Sequence, residues 1–243
     1  MRARLAAWLL ALFAGLSMLC AASIATAAAA AGAAATFQQR CEERLGAPSL
    51  QVRAADAGYR IDTSLSYKTL TRMKGGGQAG RFVLGLTRAE SRIGIALNAR
   101  MLTDSASGRE CMAPHVDVNL AYLPIVIYVS REFAPDSCAY RAILAHEMRH
   151  LNAYLDYLPK VEGVVRNSLT PRLGAQLVYA PAGQSRLKLQ RELDREWLPF
   201  IKREVARVEH LQQAIDTEKE YARLSKVCAG EVQSLIGPVP PKD

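Results

Sequence analysis

The chain has 243 residues, half of them hydrophobic, and a formal net charge of +8. That is enough for one sizeable core or two small ones, with the apolar material to pack it. The bases are spread out and, in "SRLKLQRELDREWLPFIKREVARVEH", interleaved with acids, as on a solvated helix face; no basic surface studded with aromatics is present, which argues against a nucleic-acid partner.

Arg2 and Arg4 precede the apolar run "LAAWLLALFAGLSMLC", and "ATA" at Ala25–Ala27 has the small-x-small form of a cleavage site. Residues 1–27 therefore read as a secretory signal peptide, which places the mature chain in the periplasm or outside the cell. The alternative is an uncleaved anchor, because the alanine-rich run continues to Ala35 and is long enough to span a bilayer. Once the signal is removed, no stable membrane insertion is expected. Leu19 before Cys20 argues against a lipoprotein. Loss of Arg2 and Arg4 lowers the charge from +8 to +6. Residues 28–40 form a low-complexity lead-in, residues 41–230 a single domain and residues 231–243 a tail.

Strand patterns come next. "YRIDTSLSYKTL" alternates from Tyr59 to Tyr67 with the two-residue period of a half-buried strand. "MKGGGQAG" breaks it as a flexible connection, since it lacks the ending of a phosphate loop. "RFVLGL" and "RIGIAL", joined by "TRAES", predict a hairpin. "HVDVNLAYLPIVIYVS" supplies one or two further strands, with Pro124 forcing a bend or an edge position.

From Cys138 the pattern turns helical. "CAYRAILAHEMRHLNAYLDYL" carries apolar residues at helical spacing, with Asp136 or Ser137 as cap and Pro159 as its end. A loop with Pro171 and Pro181 leads to a second helical stretch, about 187–215, broken or kinked at Pro199. Thr217 and Glu220 form a capping-box pattern before a last short helix. The whole predicts an α+β domain, with antiparallel strands in the N-terminal half and helices, including the histidine helix, in the C-terminal half. Without Cys20, four cysteines remain and none lies in a CxxC pair, so two disulfides are expected. Cys138 begins the histidine helix and Cys228 ends the last one, which favours Cys138–Cys228 and Cys41–Cys111.

The histidine helix contains His146-Glu147-Met148-Arg149-His150. Histidines four apart share one side of a helix and can reach one metal, with the glutamate beside its open position. This pattern resembles the HExxH zinc metallopeptidases called zincins, as a divergent member of the bacterial secreted kind. The resemblance covers only this helix. It implies that His146 and His150 bind zinc and that Glu147 is the general base. On a helical wheel the two histidines lie near Ala139, Ile143, Ala153 and Tyr157, while Arg141, Arg149, Asn152 and Asp156 face water.

Some zincins take a third ligand six residues after the second histidine, here Asp156, behind a glycine that lets the chain turn back. Ala153 stands at that glycine position. Others take a glutamate from a following helix. Glu204 falls within the apolar stripe Trp197, Ile201, Val208, Leu211, Ile215, where a carboxylate needs a partner. Zinc or an arginine could be that partner. Glu204 is the first choice, ahead of Asp156, Glu196 and Asp216.

The resemblance further implies an exported zinc-dependent peptidase acting on peptide or protein substrates. Glu147 would take a proton from the zinc-activated water and later pass one to the leaving amine. Tyr157, His115 or His210 would help hold the oxyanion. "PIVIYVS" would act as an edge strand for an extended peptide, or as an ordinary buried strand. The alternatives are a non-catalytic envelope protein whose histidines are structural or bind metal, and a hydrolase of cell-wall peptide cross-links.

Overall fold

A computed structural model of the chain describes residues 35–55, 58–76 and 82–236. The expected signal peptide, the start of the lead-in and the last seven residues of the tail lie outside the described residues. Helix α1, Phe37–Leu45, begins inside the expected lead-in, where Thr36 and Gln39 cap it reciprocally. Strands β1, Ser49–Ala55, and β2, Tyr59–Asp62, follow. The expected strand through Tyr67 ends early. The Asp62 carboxylate accepts from the Ser64 N–H and hydroxyl and turns the chain. Ser66 then caps helix α2, Tyr67–Met73, which buries Leu70.

Strand β3, Gly85–Arg88, does not form the expected hairpin with β4, Ser91–Asp104. Instead β4 pairs along its whole length with β5, Arg109–Tyr122, a far longer ladder than β3 could offer. β3 pairs antiparallel with β6, Ile125–Val129, so "TRAES" carries the chain between two sheets. The first sheet has the order β1-β5-β4, with β1 parallel to β5; the second has the order β2-β6-β3, with β2 parallel to β6. The sheets are thus mixed rather than antiparallel. β6 is central in its sheet, so "PIVIYVS" is no edge strand, and β3 is an edge.

Helix α3, Cys138–Leu169, is capped by Ser137, whose hydroxyl accepts from Tyr140 N–H. It runs on through Pro159, where an end was expected. A proline inside a helix costs about 3 kcal/mol. Beyond it Val161, Val165 and Leu169 are buried, and each buried side chain of this kind returns roughly 1.5–3 kcal/mol. Burial therefore wins. α3 packs against β1, β3, β5 and β6 and against the helices that follow.

A π-helical turn, Thr170–Gly174, leads to β7, Val178–Pro181, which pairs antiparallel with the start of β5. Then come α4, Ser185–Glu192, a π-helical turn at Leu193–Trp197, α5, Leu198–Ala206, and α6, Val208–Ile215. The expected break near Pro199 is this second π turn. Helices α7, Glu218–Lys226, and α8, Glu231–Ile236, complete the described chain. Helices thus occur in both halves, which corrects their expected confinement to the C-terminal half. α8 extends the domain past residue 230, since its Val232 is part of the core.

Cys41–Cys111 ties α1 to β5, and Cys138–Cys228 ties the start of α3 to the end of α7, the pairing expected from the sequence. Two disulfides mark an oxidising, extracytoplasmic setting. No helix among the described residues is long and apolar enough to cross a membrane.

Candidate metal centre

The helical period of α3 stacks His146 and His150 one turn apart, and both are buried. Their Nε2 atoms lie 3.2 Å from each other. Asp216 ends α6 in a non-helical conformation and reaches the same point. Its Oδ1 is 3.2 Å from His146 Nε2 and 3.1 Å from His150 Nε2. Three potential ligand atoms therefore form a nearly equilateral triangle.

The other ring nitrogens fix the chemistry of this triangle. His146 Nδ1 is 3.2 Å from Glu220 Oε1, and an ionised carboxylate only accepts, so Nδ1 carries a proton. His150 Nδ1 is 2.6 Å from Gln212 Oε1. The amide of Gln212 is oriented by its other end, because Nε2 donates to the His150 carbonyl at 3.2 Å. His150 Nδ1 is thus also a donor. In the neutral imidazoles both Nε2 atoms then present lone pairs to each other and to a carboxylate oxygen. Such a set needs a positive charge among its members. A proton can supply it, and so can a divalent cation.

The spacing fits the cation. Ligands about 2.0–2.1 Å from a tetrahedral zinc lie about 3.3–3.4 Å apart. The three distances here fall just short of that edge. Two imidazoles and a carboxylate are also an ordinary donor set for zinc, with outer partners that fix each ring. Burial pushes the Asp216 carboxyl up, yet hydrogen bonds from His146, His150 and Lys74 outweigh it and hold the group well below the usual carboxylate range. Burial lowers His150, but its bonds to Asp216 and Gln212 dominate and raise it. Both directions express the same pull on positive charge.

Glu147 is buried beside the triangle, and burial pushes its carboxyl above the usual range against the opposing effect of the two histidines. Its Oε2 is 2.9 Å from Thr87 Oγ1 on β3. Gly85, two residues earlier on the strand, makes room for it. A Cβ at Gly85 would lie 2.6 Å from Glu147 Oε1 and 2.7 Å from Ile143 Cγ2. The triangle and Glu147 open into a cleft of about 690 Å³. Its walls include Phe82, Leu84, Leu86, Tyr154, Leu224 and Val232.

The structure thus brings together His146, Glu147 and His150. It does not bring Glu204 to them. Glu204 is buried, as its stripe requires, but its carboxylate pairs with Arg207 at 3.0 Å. Its backbone carbonyl accepts from the Tyr157 hydroxyl at 3.0 Å. Tyr157 is two turns beyond His150, about 10 Å along the helix. Tyr157 therefore serves α5 rather than the cleft, and Tyr154 is the phenol from α3 that lines it. Asp156 and Glu196 are exposed. His115 bonds Ser49 on the first sheet, and His210 is exposed on α6.

The sequence marks Asp216 as an alternative behind Glu204 and Glu220 only as a capping residue, and it does not mark Thr87, Gly85, Gln212 or Lys74 at all. A signal for Asp216 was present, since it directly precedes the Thr217 cap and so sits where one helix stops and another starts. Thr217 does cap α7, accepting from Glu220 N–H at 3.2 Å. The Glu220 side chain, however, turns to His146, Arg149 and Arg223 instead of closing the box. No family model, curated protein or solved structure matches this chain.

Proposed function

We propose that the chain is an exported zinc-dependent peptidase, with His146, His150 and Asp216 as metal ligands and Glu147 as general base. The reading is supported above all by one observation: two imidazole Nε2 atoms and a carboxylate oxygen lie within 3.2 Å of one another beside a buried glutamate in a cleft. A zinc ion there would polarise a substrate carbonyl and lower the pKa of a water towards ~7.

The chain's own residues account for the rest. Glu220 and Gln212 hold the rings, and Asp216 completes the ligand set. Glu147, with its carboxyl raised by burial, takes a proton and returns it to the leaving amine. Thr87 holds that carboxylate in place. The edge strand β3 forms one wall of the cleft, where an extended peptide could lie. Tyr154, which lines the cleft, would donate to a carbonyl oxygen of the substrate. The two disulfides and the N-terminal signal pattern accord with a periplasmic or secreted enzyme.

The test is metal content together with hydrolysis of an unfolded protein. Wild type should bind zinc and cleave. Glu147→Gln should keep the zinc and lose cleavage by about 10²-fold or more. Full cleavage by Glu147→Gln would overturn the reading.

A further inference from the structure

Asp216 offers its two oxygens to different partners. Oδ1 faces the histidines, and Oδ2 accepts from Lys74 Nζ at 2.7 Å. Lys74 ends α2, where its N–H reaches the Leu70 carbonyl at 3.1 Å. α2 is itself fixed by the fully buried Leu70 and by the Ser66 cap. Lys74 thus reaches Asp216 from a firmly seated helix, and both residues line the cleft.

A carboxylate can give a metal one oxygen or two. With two histidines and one oxygen, a four-coordinate site keeps a free position. With both oxygens beside the water it becomes five-coordinate, and the open position is crowded. The Lys74 ammonium occupies Oδ2 through a short charge-assisted bond and so decides between these cases. We propose that Lys74 is a positioning residue that keeps Asp216 a one-oxygen ligand and thereby holds open the coordination position that hydrolysis requires. This rests on the metal centre proposed above.

The experiment uses cobalt(II), whose visible spectrum distinguishes four- from five-coordinate sites. Cobalt is titrated into wild type, Lys74→Met, Lys74→Gln and Lys74→Arg, with circular dichroism as the check on folding. Wild type and Lys74→Arg should share intense four-coordinate bands. Lys74→Met and Lys74→Gln should still bind cobalt, with loss of the intense four-coordinate bands. Neutral variants with the wild-type spectrum overturn the assignment of Lys74 while leaving the metal centre intact. A wild-type protein that binds no cobalt overturns the metal centre and this role together.

Discussion

Thr87 Oγ1 stands 2.9 Å from Glu147 Oε2 and 3.0 Å from the carbonyl oxygen of the same residue. A hydroxyl has one proton, so when Glu147 is ionised the stronger acceptor is the carboxylate. The bond stabilises the ionised carboxylate at a buried position. Thr87→Val keeps the shape and removes the donor. Its kcat/KM at neutral pH should fall roughly tenfold, the worth of one bond to a charged group. The acidic limb of its pH–rate profile should move to higher pH. An unchanged limb with a lower rate would mean that Thr87 only packs.

Glu147 should also weaken the metal-free protein. Burial raises its carboxyl, so the folded chain holds that proton more tightly than the unfolded chain does. The resulting stability is fully present below the ordinary glutamate pKa of ~4.3 and is lost as pH rises through the raised folded value. Glu147→Gln removes this loss. In chelator at pH 7 its Tm should exceed wild type by about 2–4 °C, the response of a chain this size to about 1 kcal/mol. Near pH 4 the two proteins should melt together. A variant less stable than wild type at pH 7 would contradict the argument.

Three acids separate the ligand assignments. Asp216→Ala should weaken zinc binding by about 100-fold or more, beyond the 10–100-fold typical of an outer partner. Glu204→Ala should leave zinc affinity near wild type, because its carboxylate is engaged by Arg207. Asp156→Ala should do the same from an exposed position. Competition with a chromophoric chelator measures all three. A large loss of affinity in Glu204→Ala with the fold intact would reverse the order.

The contrast between Glu204 and Asp216 shows what the sequence could carry. Helical period alone placed His146, Glu147 and His150 together, put Asp156 in water and identified Glu204 as buried. The end-of-helix cysteines identified Cys138–Cys228. The partner of a buried carboxylate, however, depends on where α5 lies along α3, and period says nothing of that. Arg207, one turn away in sequence, satisfies Glu204 locally. Asp216 lies in a turn, where no stripe marks a residue as facing inward. The strands failed for a similar reason. β4 alternates along most of its length, but alternation does not choose a partner, and β5 offered it a longer ladder than β3 could.

Helix α7 has no fully buried side chain. It nevertheless carries Glu220, and Asp216 lies just before it. No fully buried apolar side chain holds this helix. It is held by Glu220 on His146 and Arg149, by Lys74 on Asp216, and by the Cys138–Cys228 bond that joins its far end to the start of α3. A disulfide of this kind contributes about 2–4 kcal/mol by restricting the freed chain. Part of that restriction falls on the segment that carries Asp216. The paired change Cys138→Ser with Cys228→Ser should therefore lower zinc affinity by about tenfold, with far-ultraviolet circular dichroism close to wild type. Coupling is reciprocal, so zinc should slow reduction of this bond in the wild-type protein and leave Cys41–Cys111 unaffected. Unchanged zinc affinity in the double variant would mean that Val232, buried in the core just after the bridge, already fixes the segment.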